Sequence, residues 1–422
     1  MKVLVVGGGG RERALAWKLA QSSKVAEVIC APGNAGIEAV ARCAPVKADD
    51  VAGLMELAKG EGVDLTVVGP EAPLAAGIEG AFRKAGLRIF GPSKEAAQLE
   101  SSKAFSKDFC IRHGIPTADS KTFEDPERAL AHVRSRCLPM VVKADGLAAG
   151  KGVMICRTVE EAESSVREIM VDCRFGGAGC KIVVEDFLEG EEASFIAICD
   201  GGDVLPLASS QDHKAAYDGD TGPNTGGMGA VSPARIVTPE VERKVMDSVM
   251  KPAVKGMAAE GMPFTGVLYA GLMIKAGEPK VLEFNVRMGD PETQPLLARM
   301  RSDLADVIEA ACEGRLAGME LDWDERPAVC VVMAAGGYPG SYEKGRRIEG
   351  LARAGDMEDV VVFHAGTKRQ GEDVVTSGGR VLGVTALGQD MRTAIDRAYE
   401  AVGAISWDGV QYRKDIGAKA LK

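Results

Sequence analysis

Short apolar runs, each followed by a glycine-rich turn and then a segment of helical period, set the rhythm of the first hundred residues. "KVLVV" leads through "GGGG" into "RERALAWKLAQ", and the sequence repeats the move in "VAEVICAPGNAG", "VDLTVVGPEAPLAAG" and "LRIFGPSKEAAQLE". Such strand–loop–helix repetition predicts a parallel α/β domain over residues 1–101, with ligands at the strand ends. From about residue 101 the texture changes. "SSKAFSKDFCIRHGIP" reads as a helix stopped at Gly-x-Pro, and "MVVK" and "VMIC" read as strands flanking a glycine-rich tip. There follow a helix, "TVEEAESSVREIM", and a strand, "KIVVEDFLEGEEASFIAIC". The long stretch "DHKAAYDGDTGPNTGGMGAVSP" reads as a substrate-contacting loop, because loops of this length in compact domains are usually functional. A helix opens near "TPEVERKVM". From about residue 325 the strands "AVCVVMAAGGYP", "VVVFHAG" and "RVLGVTALG" and the helix "MRTAIDRAYEAV" predict a small closing α+β domain, 325–422. Residues 102–324 form the α+β middle.

Composition narrows this picture. A chain of 422 residues, 46% hydrophobic, is long enough for two to four core units. Its net charge of −10, from 61 acidic and 51 basic side chains, argues against nonspecific binding to nucleic acid or to an anionic membrane. The start, "MKVLVVGGGGRERALAW", resembles a signal peptide only in its opening, since Arg11, Glu12 and Arg13 break the apolar run. No apolar run is long enough to span a bilayer. Ten cysteines without a C-x-x-C pair read as reduced core thiols in a cytoplasmic protein, and four histidines leave little for a His-centred site.

Three segments carry candidate chemistry. "KADGLAAGKGV", 143–153, misses the Walker A pattern: three residues, not four, separate Gly146 from Gly150, and Gly152 stands where the hydroxyl residue would be. It reads as the tip of a β-hairpin, either a plain flexible turn or a phosphate site built on free backbone N–H groups with Lys143 and Lys151 at its ends. The first glycine turn fails as a dinucleotide fingerprint, because its third glycine position falls on Glu12 or Arg13 and the next strand ends in Cys30-Ala-Pro-Gly-Asn. A phosphate at that helix N-terminus, near Arg11 or Arg13, stays open. In "VLEFNVRMGDPETQ" strand alternation puts Glu283, Asn285 and Arg287 on one face, with Leu282, Phe284 and Val286 turned to a core. That polar face is either solvated or a hard-oxygen site for magnesium, with an arginine able to grip a carboxylate or phosphoryl group.

Taken together, the lysine hairpin, the acidic "VVEDFLEGEE" segment and the Glu-x-Asn-x-Arg strand suggest ATP chemistry without a Walker loop. The sequence resembles the ATP-grasp enzymes and, within them, the glycinamide ribonucleotide synthetase family. The likeness runs nearly end to end through "APGNAG", "VGPEAPL", "FGPSKEAAQLESSKAF", "KADGLAAGKGV", "EEASF", "SQDHK", "DTGPNTGGMGA", "EFNVRMGDPETQ", "VVMAAGGYPG", "VFHAGTK" and "RKDIG". One departure lies in the first turn: the family commonly reads G-N-G-G-R-E-H, and this chain has Gly8 and Arg13 at the second and last of those positions.

The resemblance implies an N-terminal parallel α/β domain, an ATP-grasp core of two α+β subdomains with a mobile lid at about 118–190, and the C-terminal α+β domain. It implies ligation of glycine to 5-phosphoribosylamine through a glycyl phosphate, with ATP as co-substrate cleaved to ADP and phosphate and Mg²⁺ or Mn²⁺ as cofactor, in purine biosynthesis. Catalysis would fall to Arg287, Lys143 and Lys151. ATP would meet Lys103, Lys143, Gly146, Gly150, Lys151, Gly152, Glu185, Phe187, Leu188 and Glu192. The other substrates would meet Gly9, Gly10, Arg11, Asn34, Gly36, Asp212, Gly226, Gly227, Gly229 and Arg287, and metal would meet Glu283 and Asn285. The hairpin 146–152 is expected to order over the nucleotide. Small-molecule partners are implied, with transient contact to neighbouring purine-pathway enzymes and neither nucleic acid nor membrane. Two other readings fit parts of the chain: an ATP-grasp ligase with another acceptor, and a nicotinamide-dependent oxidoreductase suggested by the first twenty residues alone.

Overall fold

In the computed structural model, residues 1–147 and 152–421 are described. Gly150 and Lys151, and the closing tip expected around them, lie outside those residues. The first domain runs β1 (Lys2–Gly7), α1 (Gly10–Leu19), β2 (Glu27–Pro32), β3 (Arg42–Cys43), α2 (Val51–Glu61), β4 (Leu65–Val68), α3 (Glu71–Ala76), α4 (Ile78–Lys84) and β5 (Ile89–Phe90). Its sheet has the order β3-β2-β1-β4-β5, and every pairing is parallel. Alternate β1 residues feed different cores: Leu4 and Val6 pack on one side and Val3 and Val5 on the other, all fully buried. Helices therefore cover both faces, as an apolar strand of this kind requires. The strand order reverses between β1 and β4, so the turns after them frame the crevice where such sheets bind ligands.

Helices α5 (Gln98–Ser101) and α6 (Lys103–Arg112) lead to a four-stranded antiparallel subdomain. It comprises β6 (Ser120–Phe123), α7 (Pro126–Ser135), β7 (Met140–Ala144), β8 (Val153–Cys156), α8 (Val159–Val166) and β9 (Ile182–Asp186), with strand order β6-β9-β7-β8. The expected hairpin is there: β7 and β8 pair from Met140↔Cys156 to Lys143↔Val153. Its base is anchored, since Asp145 Oδ1 accepts hydrogen bonds from the Ala104 N–H at 3.0 Å and from Ser102 Oγ at 3.1 Å, at the start of α6.

The strand expected across 181–199 is two strands in different sheets. After β9 the chain turns through Gly190, at φ +147, and continues as β10 (Glu191–Asp200) beside a different partner. A Cβ at Gly190 would lie 2.4 Å from the Ile274 carbonyl oxygen, so only glycine passes this crossing. The second middle sheet has the order β11-β10-β16-β17, with β11 at Val204–Pro206, β16 at Thr265–Lys275 and β17 at Glu278–Asn285.

The glycine-rich stretch also departs from expectation, because it is largely paired strand rather than loop. It holds β12 (Gln211–Asp212), a hairpin of β13 (Ala215–Tyr217) with β14 (Thr221–Asn224), and β15 (Gly229–Ser232). Buried Arg413 reaches this hairpin from the C-terminal segment, 3.0 Å from Asp220 Oδ1 and 3.2 Å from the Ala215 carbonyl oxygen. Beyond it, α9 (Pro239–Val245) and α10 (Lys251–Ala259) precede β16, and α11 (Thr293–Arg299) and α12 (Leu304–Cys312) follow β17. The last domain comprises β18 (Ala328–Ala335), α13 (Leu351–Gly355), β19 (Val360–His364), β20 (Thr367–Gln370), β21 (Asp373–Thr376), β22 (Arg380–Leu387) and α14 (Met391–Ala404). Its main sheet, β12-β15-β18-β22-β19, recruits two strands from the middle of the chain. Among the described residues four apolar clusters result, the smallest belonging to the β6–β9 subdomain. All ten cysteines are free, but Cys137, Cys173 and Cys180 are exposed, which corrects the expectation of core thiols throughout. Among the described residues no helix is long and apolar enough to cross a membrane.

Candidate active site

A cavity of about 540 Å³ lies where the crevice of the first domain, the β7–β8 hairpin, strand β17 and the last domain meet. Among the described residues seven basic and six acidic side chains line it, a near balance in a chain of net charge −10. Of the expected residues, Arg11, Lys103, Lys143, Gly146, Gly152, Asp212, Gly226, Glu283, Asn285 and Arg287 line this one space.

Strand β17 delivers the Glu283 and Asn285 side chains to the cavity, but its pattern is not a plain alternation. The register against β16 shifts between Gly271 and Leu272, so Val281 and Phe284 join the core while Leu282 does not, and Leu282 and Phe284 both border the cavity. A bulge of this kind re-aims side chains beside a site. Arg287 lies two residues past the strand end. Its Nη2 is 2.9 Å from both Asn285 Oδ1 and Glu100 Oε1, and its Nε is 3.5 Å from Glu71 Oε2. Burial pulls the guanidinium pKa down, and Glu100 and Glu71 more than reverse this, leaving it raised. The Glu100 carboxyl is itself raised by burial, despite Arg287 and with help from Glu71.

Glu283 faces three lysines. The cavity admits water yet is walled by protein, and that enclosure raises its carboxyl; Lys214, Lys143 and Lys103 outweigh it, leaving the pKa below the ordinary value. Lys214 lies 2.9 Å from Glu192 Oε2 and 3.8 Å from Glu283 Oε1. Lys103 Nζ donates to the Gly146 carbonyl oxygen at 3.0 Å, and Lys143 Nζ to the Leu282 carbonyl oxygen at 3.1 Å. Asp212 is raised well above the usual carboxylate range, first by burial and then by Glu292. Glu292 is held by Ser194 Oγ at 2.9 Å and Tyr269 OH at 2.7 Å. From the last domain Arg380 Nη1 donates to the carbonyl oxygens of Asp290 (2.6 Å) and Gly226, and Tyr338 OH accepts from the Gly226 N–H at 3.1 Å.

The other expected residues among those described are not on the cavity wall. Gly9 donates its N–H to Glu12 Oε2 at 2.6 Å, and Glu12 Oε1 pairs with Arg11 Nε at 2.6 Å. The turn thus holds the protein's own carboxylate, and a Cβ at Gly7 or Gly69 would collide with it. Gly10 packs near Gln294 and Asp290. Asn34 donates from Nδ2 to the carbonyl oxygens of Gly8 and His364, both at 2.9 Å, and accepts from the Gly36 N–H, so it braces the loop. Arg13, the family departure, is buried over the Phe363 ring, away from the cavity wall, and burial lowers it to about 10. Gly227 abuts Pro291 and Asp212, and Gly229 is packed within β15. Glu185 is buried between Lys107 and Lys143, and half-buried Phe187 and Leu188 join β9 to β10.

Sequence reasoning missed Glu71, Glu100, Lys107, Lys214, Tyr269, Tyr338 and Arg380 on the cavity wall. Two had a usable signal: Lys107 is one helical turn from Lys103, and Lys214 follows Asp212 by two residues in the same short motif.

The donors fit a hard divalent cation. Glu283 and Asn285 offer a carboxylate and a carboxamide oxygen to the cavity, and a magnesium-sized ion commonly takes one or two carboxylates while keeping waters and phosphate oxygens.

Family profiles match almost the whole chain: Phosphoribosylglycinamide synthetase N domain over residues 1–100, its ATP-grasp (A) domain over 101–293 and its C domain over 328–419. A phosphoribosylamine–glycine ligase of Yersinia pestis is 56% identical over 425 residues, covering 100% of this chain and 99% of that protein. The crystal structure of the phosphoribosylamine–glycine ligase of Thermotoga maritima superposes with a TM-score of 0.86 at 34% identity, covering 99% of this chain and all of that one. The Campylobacter jejuni biotin carboxylase, at 14% identity and TM-score 0.78 over 99% of this chain and 94% of that one, shares the fold. The chain belongs to the phosphoribosylglycinamide synthetase family.

Proposed function

We infer that this chain catalyses the ATP-dependent ligation of glycine to 5-phosphoribosylamine, giving glycinamide ribonucleotide, ADP and phosphate. The observation that carries the reading is the single cavity. Arg11 from the crevice of the first domain opens on the same space as Lys103, Lys143, Glu283 and Asn285. An acyl phosphate formed among the lysines can therefore be attacked by an amine held at the crevice without leaving the cavity. Catalysis is then alignment and charge neutralisation, which needs no Ser-His-Asp or Cys-His set.

In this reading Lys103 and Lys143 contact the phosphates of ATP, beneath the hairpin of Gly146 and Gly152. The backbone from Glu185 through Phe187 and Leu188 faces the adenine, and Glu192 the ribose. Glu283 and Asn285 would hold Mg²⁺ or Mn²⁺, which when bound neutralises phosphate oxygens. Arg287 orients the acyl phosphate, Asp212 and the Gly226–Gly227 backbone receive glycine, and the turn at Gly9–Arg11, braced by Asn34 and Gly36, receives the ribosyl phosphate. The amine loses a proton as it displaces phosphate, and the acids of the cavity wall are within the same space to take it. Cytoplasmic location, where ten free thiols stay reduced, and transient contact with neighbouring pathway enzymes belong to the same reading.

The division of substrates is testable at Arg11. Arg11→Ala removes a charge-assisted donor, and should raise the apparent KM for phosphoribosylamine by about tenfold or more while leaving that for ATP within about twofold. Steady-state kinetics with each substrate varied in turn decides it; the reverse pattern would put the substrates in exchanged places.

A further inference from the structure

Lys107 and Lys143 on the cavity wall, and Glu185 set back between them, are charged side chains each at most 5% exposed. Glu185, on β9, presents Oε1 to Lys143 Nζ and Oε2 to Lys107 Nζ, the latter at 2.5 Å. The triad joins separate parts of the fold: Glu185 and Lys143 belong to the β6–β9 subdomain and Lys107 to helix α6. Lys107 is fixed from behind as well. Its Nζ donates to Thr117 Oγ1 at 2.7 Å, and that hydroxyl donates to the Val281 carbonyl oxygen at 2.7 Å. Among the described residues Lys143 has one further partner, the Leu282 carbonyl oxygen at 3.1 Å.

A lysine that serves a phosphate has to give up some of its hold on a neighbouring carboxylate. Were Lys143 the only partner of Glu185, that shift would strand a carboxylate in the interior, at a cost of several kcal/mol. Lys107 removes the obstacle, because it keeps Glu185 paired whichever way Lys143 turns. We propose that Lys107 is a positioning residue for nucleotide binding, which holds the Glu185 carboxylate so that the charge of Lys143 is free for a phosphate of ATP. The proposal rests on the reading that Lys143 contacts ATP. It adds that Lys107 acts through Glu185 and not by touching the nucleotide.

The charges provide the test. The native triad carries one net positive charge, Lys107→Met leaves a neutral Lys143–Glu185 pair, and Lys107→Met with Glu185→Gln returns to one positive charge on Lys143. Binding of a non-hydrolysable ATP analogue with magnesium is measured by titration calorimetry on the full chain for both variants and for Lys143→Met. Thermal unfolding without nucleotide reports their folding. Lys107→Met should weaken binding by about tenfold or more, and adding Glu185→Gln should recover most of that loss, to within about threefold of the native chain. If the double variant binds as weakly as Lys107→Met, Lys107 contacts the nucleotide itself or only packs, and the proposal fails. Should the single variant not fold, the double variant alone decides: near-native affinity supports the proposal, and a tenfold loss overturns it. Lys143→Met separates the two levels. Unchanged affinity there overturns the underlying assignment, whereas a loss there with none in Lys107→Met overturns only the role given to Lys107.

Discussion

Arg287→Met should both abolish turnover and destabilise the folded chain, and the instability should fade as the pH falls. The guanidinium is the cation between Glu100 and Glu71, and the Glu100 side chain is only 8% exposed. Removing it leaves Glu100 buried without its counter-charge, which costs about 3 kcal/mol; Glu71, a third exposed, adds little. The sign of the pH effect follows from Glu100. Its carboxyl is already raised above the ordinary value by burial, and losing Arg287 raises it further. A carboxyl raised in the folded state binds its proton more tightly there than in the unfolded chain, so it favours folding at low pH, and that contribution is lost as pH rises through the folded value. The deficit of Arg287→Met relative to the native chain should therefore be large at pH 7.5 and shrink toward pH 5. Denaturant unfolding at the two pH values measures it. A deficit independent of pH would show that Glu100 is not what the arginine compensates.

Glu283→Gln and Asn285→Leu should each lower turnover by at least about 100-fold, through loss of oxygen ligands for a divalent cation. Their cost in stability should be small. Glu283 is open to the cavity, with its side chain 36% exposed, so removing its charge among three lysines should cost at most about 1 kcal/mol. For Glu283→Gln, which keeps one oxygen donor, about tenfold more magnesium should restore part of the rate; Asn285→Leu keeps none and should respond less. Initial rates across a magnesium series, with thermal unfolding of the free proteins alongside, give both quantities. Near-native rates in both variants at ordinary magnesium would remove β17 from the mechanism.

The sequence was most legible where the signal is local. The parallel first domain follows from apolar runs ending in glycine turns, and the β7–β8 hairpin from two short strands around a glycine-rich tip. Where a partner strand decides, the reading slipped. Leu282 looked like core by alternation, but the register shift opposite Gly271 and Leu272 turns it to the cavity. One glycine in an otherwise strand-like run gave no warning that 181–199 divides at Gly190, because the constraint is the Ile274 carbonyl oxygen on a distant strand. The glycine-rich stretch read as loop because glycine is poor in strands, yet β15 is buried and paired on both edges. Long-range partners were not legible at all. Arg380 meets Asp290 across 90 residues and Gly226 across 154, and nothing in either local pattern signals the other. The site was therefore readable for residues in dense motifs and unreadable for those that tertiary folding alone brings to the wall.

In the proposed reaction one cavity couples phosphorylation of glycine to attack by the amine of phosphoribosylamine. The direct measurement is ADP release with glycine and phosphoribosylamine supplied separately and together, with the product identified by mass. Rapid ADP formation is expected only when both are present, in equal amount to glycinamide ribonucleotide. ADP released equally fast without glycine, or released with both present but with no amide product, would contradict it.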